Sequence, residues 1–230
     1  MVSREISSWV NWILDNIVPP VIRDKKWFMA PITWLAFGSK YKLIMHFKEK
    51  LPYLAESEIE DVYKQLDENS GITARTTDLN KKSISFILEN LAGTSVVDVG
   101  CGKGYLLERI RLVNNQLLLH GFDYAPPQST YIQYKSGNLI ELPYEDNGFD
   151  TVICTHTLEH VRNMDMAIDE LLRITNKRLI VVLPKQRPYK YTVDLHVNFF
   201  PYLHDLQKVF PMPSAKFLLI GNDWLCMVDV

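Results

Sequence analysis

The chain has 230 residues, 47% of them hydrophobic and 23% charged, with a formal net charge of −2. This composition excludes a disordered chain and a nucleic-acid binder that is basic along its whole length; the length allows one large domain or one domain with an extension. Cys101, Cys154 and Cys226 are far apart and form no CxxC pair, so neither a disulfide framework nor a metal site is indicated, and a reducing, cytoplasmic setting is expected.

The N-terminus carries an early acid, Glu5, and does not read as a signal peptide. No uncharged apolar run approaches the ~18 residues of a membrane span. Residues 1–50 hold four of the five tryptophans (Trp9, Trp12, Trp27 and Trp34), and from Lys25 to Lys48 there are five lysines and no acid. Ser8 to Val18 reads as an amphipathic helix stopped by Pro19 and Pro20. Pro31 to Phe47 contains another, and Ser57 to Asn69 a third, acidic and exposed. With Asp78 as N-cap, a helix covers Asn80 to Leu91 and closes at Gly93. Residues 1–90 are thus expected to form a helical extension and residues 91–230 the main domain.

In the main domain, strands are predicted at Ser95–Val99, Leu117–Phe122, Tyr131–Lys135, Asp150–Thr155 and Arg178–Leu183. Helices are predicted up to about Val113, over Asn163–Ile174 and near Tyr202–Val209. Two late strands, Lys216–Ile220 and Trp224–Val228, are joined by the short turn Gly221-Asn222-Asp223 and must be antiparallel. Alternation of strand and helix implies right-handed crossovers and a mainly parallel sheet. The expected fold is α/β: a Rossmann-like, seven-stranded, mostly parallel sheet with a terminal antiparallel hairpin, behind a helical extension.

The first of these strands runs directly into Gly100-Cys101-Gly102-Lys103-Gly104 and then a helix. Glycines there permit a sharp turn and close approach of a ligand to the backbone, and the helix start offers free N–H groups. A dinucleotide loop would need glycine at 105, where this chain has Tyr105; nor is there a lysine followed by Ser or Thr in the arrangement of a phosphate-binding loop. About twenty residues on, Asp123 ends the second strand, where a carboxylate reaches vicinal ribose hydroxyls.

The G-x-G-x-G run preceded by Asp98 resembles motif I of class I S-adenosylmethionine (SAM) dependent methyltransferases. Gly137-Asn138-Leu139-Ile140-Glu141-Leu142-Pro143, then Phe149-Asp150, then Leu158-Glu159-His160-Val161, resemble the type 11 family of these enzymes. The family usually has aspartate where Asn138 stands. The resemblance covers about residues 90–183. It implies SAM as cofactor, with S-adenosylhomocysteine as product, held by Asp98, Gly100, Cys101, Gly102, Gly104, Asp123, Tyr124, Asn138, Leu139 and Thr155.

Ligands of open α/β sheets lie at the carboxyl ends of the strands. His156 follows the fourth strand there and is a candidate base, or else a loop histidine packed beside the cofactor. His196 is the alternative base. Arg187 and Tyr189, after the fifth strand, suit an anionic or sugar-like acceptor, or else belong to a solvated loop; His160 is a further contact, or else it and Glu159 cap or brace the start of the next helix. The fourth strand is not followed by the Asp/Asn-Pro-Pro-aromatic run of many nitrogen methyltransferases, which disfavours nucleic-acid bases. The expected reaction is methyl transfer to a small-molecule or glycan-intermediate acceptor, at oxygen. Carbon methylation of a membrane-dissolved ring and a catalytically silent regulatory module stand as alternatives. The tryptophan-rich N-terminus packs on the catalytic domain, covers the site as a lid, or touches a membrane surface; residues 73–80 are expected to close over the cofactor.

Overall fold

A computed structural model describes residues 4–55, 57–59, 61–62, 76–191 and 194–230. The chain divides into two compact units, Met1–Thr76 with Gln186–Val197, and Thr77–Lys185 with Asn198–Val230. The helix expected over 57–69 falls largely outside the described residues, as do residues 73–75 of the closing segment expected at 73–80.

The second unit is a seven-stranded sheet. Its strands are β1 (Ser95–Val99), β2 (Leu118–Asp123), β3 (Gln133–Ser136), β4 (Phe149–Thr155), β5 (Thr175–Pro184), β6 (Lys216–Ile220) and β7 (Asp223–Asp229). Their spatial order is β3-β2-β1-β4-β5-β7-β6, with β7 antiparallel to both neighbours and the pairs β1–β2, β1–β4, β2–β3 and β4–β5 parallel. The fold is the one expected from the alternation of elements.

Successive side chains of a strand point to opposite faces, so each central strand feeds two cores. Val97, Val99, Val152, Cys154, Leu179 and Val181 join one buried cluster. Val96, Ile153, Ile180 and Val182 join the other. The first is covered by helix Met164–Arg173 and helix Leu203–Val209, through residues such as Leu171 and Leu206. The second is covered by helix Lys81–Glu89 and helix Tyr105–Val113, through residues such as Ile87 and Leu107. Burial on both faces explains why β4 and β5 read as near-continuous apolar runs.

Local chemistry shifts some boundaries. The N-cap of helix Lys81–Glu89 is Asn80, not Asp78: its side-chain oxygen accepts from the Ser83 N–H at 2.9 Å. The third strand starts at Gln133 rather than Tyr131, whose exposed ring lies under the Arg111 guanidinium at 4.9 Å.

The first unit is helical: α1 (Arg4–Asn16), α2 (Pro20–Arg23), α3 (Lys26–Phe37) and α4 (Tyr41–Lys50). The single helix expected within Pro31–Phe47 is two, because Gly38 at φ +56° ends α3 and a 3₁₀ turn over Gly38–Lys40 redirects the chain. Leu14, Met29 and Met45 pack with Tyr191, and Ile44, Phe47 and Val62 pack with Leu195. Residues 186–197 therefore give this unit part of its core.

Candidate functional site

The site begins where β1 stops. The N–H groups of Gly100 and Cys101 both donate to the Phe122 carbonyl, at 2.7 and 3.1 Å, tying the glycine loop to the end of β2. A side chain on Gly100 would collide with Thr157, so glycine lets these two loops touch. Gly102, at φ +51°, faces open space: nothing lies within 4 Å of where a Cβ would stand. The loop backbone is left bare toward that space. Gly104 then starts helix Tyr105–Val113, and the Tyr134 hydroxyl occupies the space a Cβ there would need.

Asp123 holds the opposite wall. One carboxylate oxygen accepts the Gly102 N–H at 2.8 Å, and the other accepts the Ala125 N–H at 3.3 Å. Each oxygen has a further lone pair for a ligand. Tyr124 follows, half-buried. Asn138 spends its side-chain oxygen on the Ile140 N–H at 3.2 Å, forming a local turn. Leu139 is buried in the core beneath that turn, in the cluster that contains Phe122.

Asp98 is buried on β1, and its Oδ1 has no hydrogen-bond partner. Burial first, and the charge of Asp123 second, push its carboxyl up to about 7. A buried carboxylate oxygen without a donor is costly unless a ligand supplies one. Burial likewise pushes the Cys101 thiol far above its ordinary value, helped by Asp98 and Asp123, so it stays protonated and is no nucleophile. An ammonium-bearing ligand whose sugar reaches Asp123 fits this set: it would find a cation acceptor in Asp98, bare backbone at Gly102 and free lone pairs at Asp123.

At the end of β4, Thr155 is half-buried and its carbonyl accepts from the Thr157 hydroxyl at 3.0 Å. His156 follows at φ +50°, a left-handed conformation that a branched or bulky residue resists. Its Nδ1 is 3.4 Å from Glu159 Oε1 and its Nε2 is 3.8 Å from Asp223 Oδ2. Asp223 also accepts from the Asn80 side chain at 2.8 Å. Burial is the largest single influence on His156 and opposes its charge; the Asp223 and Glu159 carboxylates together outweigh it and lift the imidazole to about 10. As an imidazolium it has no lone pair with which to take a proton, so the base role expected of it does not follow from its surroundings. His160 is half-buried, and its N–H donates to the Thr157 carbonyl.

The remaining expected contacts, Arg187, Tyr189 and His196, belong to the helical unit. Tyr189 is buried. The Arg23 guanidinium lies 4.4 Å and the Lys48 ammonium 5.2 Å from its ring centre, and its hydroxyl accepts from the Gln186 amide. A ring so covered is not available to stack on an acceptor, which corrects the reading of Tyr189 as a substrate contact. Arg23, 1% exposed, ties this unit together through the Leu14 and Pro188 carbonyls and the Asp15 carboxylate at 3.2 Å. Burial, only partly offset by Arg23, raises Asp15 to about 6, and the Arg187 backbone N–H donates to it. His196 Nδ1 meets the Gln186 side-chain oxygen and lies 3.5 Å from Asp194.

Sequence reasoning singled out neither Asp223 nor Tyr134. The usable sign was weak in each case: an acid in the hairpin turn, and a tyrosine on an otherwise polar edge strand.

The family model described as a methyltransferase domain matches residues 97–183. The chain is 33% identical over 129 residues to an uncharacterised protein of Methanocaldococcus jannaschii, covering 54% of this chain and 56% of that one. It is 30% identical over 129 residues to demethylmenaquinone methyltransferase of Shouchella clausii, covering 50% and 55%. The chain thus spans about half the length of these curated relatives. Among solved structures, the complex of the Haloferax volcanii Trm112 methyltransferase activator with a methyltransferase matches at a TM-score of 0.50 and 14% identity, over 64% of this chain and 86% of that one. That likeness is one of fold.

Proposed function

We propose, from the match of residues 97–183 to the methyltransferase-domain family model, that this protein transfers a methyl group from SAM to oxygen on a small-molecule or glycan-intermediate acceptor. The observation that carries the reading is the unpartnered Oδ1 of Asp98, two residues before a glycine loop whose Gly102 faces open space. When bound, SAM supplies a methyl group on a sulfonium, a leaving group already activated. The residues of this chain then have three tasks: to hold, to align and to keep water out.

Asp98 accepts from the ammonium of the amino-acid moiety, Asp123 accepts from the ribose hydroxyls, and Gly100–Gly104 admit the ligand close to the main chain. Cys101, Tyr124 and Thr155 stand beside them, while Leu139 supports the Asn138 turn from the core. The carboxylates of Glu159 and Asp223 favour the charged form of His156, which leaves His196 as the candidate base for an acceptor that needs its proton removed. The His156 cation braces the turn after β4 through Glu159 and Asp223.

A second reading has one specific observation in its favour. The exposed tryptophans of the helical unit suit an acceptor dissolved in a membrane, in line with the quinone-type acceptor in the name of the Shouchella relative.

Two experiments test these readings. Calorimetry with SAM gives a binding isotherm if the site is as described; no heat at millimolar ligand refutes it. Incubation with methyl-labelled SAM and fractionated extract, followed by mass spectrometry, identifies the labelled acceptor. Label on carbon overturns the oxygen assignment, and binding without any transfer leaves a silent module.

A further inference from the structure

The helical unit exposes an unusual set of side chains. Trp9, Trp12, Trp27 and Trp34 are 46% to 70% exposed, whereas Trp224, in the sheet, is 8% exposed and donates to the Phe200 carbonyl. On α3 the exposed residues Trp27, Pro31, Trp34 and Leu35 follow i, i+4, i+7, i+8, which is one helix face, while Met29 and Thr33 on the other side are buried. On α1, Trp9 and Trp12 are exposed while Leu14 and Asp15 are buried. Val21, on α2 between them, is exposed as well.

Basic residues outnumber acids in the segment that carries this face. Lys25 and Lys26 start α3 and are exposed, as is Lys42. Residues 1–50 carry eight lysines and arginines against four acids, while the chain as a whole is at −2, so the remainder is acidic.

We propose that the exposed face of α3 seats on an anionic lipid surface. Tryptophan is the residue of membrane interfaces: its ring is apolar, and its N–H belongs among headgroups and water. Lysines beside such a face are attracted to anionic headgroups while their stems lie along the apolar layer. No helix among the described residues is long and apolar enough to cross a membrane, so the unit lies on the surface rather than through it. A second copy of the chain is a poorer occupant, because a symmetric pairing would bring the same lysines together. The proposal does not depend on the methyl-transfer reading.

The test is flotation of the full chain with vesicles of phosphatidylglycerol and phosphatidylcholine, and with phosphatidylcholine alone, read together with tryptophan emission. The chain floats with the anionic vesicles and its emission shifts to the blue; affinity for neutral vesicles is lower by on the order of tenfold. The double variant W27S/W34S stays in the soluble fraction. K25E/K26E loses the preference for anionic lipid. Both variants keep the wild-type circular dichroism and melting temperature, which shows that they are folded. Wild-type protein that remains soluble with both vesicle types overturns the proposal, as does equal flotation with both. A concentration-dependent dimer that W27S/W34S abolishes overturns it in favour of a second copy.

Discussion

Replacing His156 with asparagine removes one cation from between two buried carboxylates while keeping a residue that tolerates the φ of +50° found there. The imidazole titrates at about 10 in the folded chain against 6.5 in the unfolded one. Its pKa is raised by folding, so its contribution is fully present below about pH 6.5 and is lost as pH rises through about 10. Linkage between those two values gives about 4 kcal/mol at pH 7 and less than half of that at pH 9. That agrees with the roughly 3–5 kcal/mol expected for stripping a buried charge of its partner. The side chain is only 15% exposed, so solvent screening takes little from the figure. Denaturant unfolding of wild type and H156N at both pH values is the assay. The expected gap is about 4 kcal/mol at pH 7, on the order of 10 °C in Tm, and narrows toward pH 9. A gap below about 1 kcal/mol at pH 7, or one that does not change between the two pH values, would refute an imidazolium clamped by Glu159 and Asp223.

The cofactor cradle yields three more predictions. Asp98→Asn removes a buried carboxyl whose pKa folding raises to about 7, a group that costs stability increasingly as pH climbs from about 4 toward 7; the ligand-free variant therefore melts higher than wild type at pH 8, while the Tm rise produced by SAM disappears. Scanning calorimetry with and without SAM checks both halves, and a lower melting point without ligand contradicts the reading. Gly102→Ala places a methyl group in open space at φ +51°, costing about 1–2 kcal/mol of stability yet abolishing detectable SAM binding; Gly100→Ala drives its methyl into Thr157 and is recovered mostly unfolded, so equal behaviour of the two variants in solubility and calorimetry argues against the cradle. Asp123→Ala weakens SAM binding by about 1–3 kcal/mol, the loss of hydrogen bonds to a charged group, and unchanged affinity in titration calorimetry excludes the ribose role.

The sheet was legible because each of its signals is local. Ser95–Val99 and Lys216–Ile220 emerge with the bounds that their apolar runs indicate, and the turn at Gly221 dictates that β6 and β7 pair antiparallel. Helix starts were less legible: Asp78 and Asn80 are both good caps, and it is Asn80, also bonded to Asp223 and to the Ile220 carbonyl, whose side chain accepts the Ser83 N–H. The glycine loop and Asp123 stood out because a bare turn followed by a helix, and an acid about twenty residues on, are patterns along the chain.

What lies outside such patterns is set by groups distant in sequence. The charge of His156 depends on Asp223, 67 positions away, meeting it across the end of the sheet. Tyr189 reads from its neighbours as part of a polar, ligand-facing loop; folding buries it between Arg23 and Lys48, more than 140 positions earlier. The amino-acid order by itself determined where backbone turns and which strands exist, since those depend on φ, side-chain volume and a two-residue period. Only the tertiary structure decided which charges are buried, which are paired and which acid is left without a donor, because desolvation and Coulomb energy depend on distance in space and not along the chain.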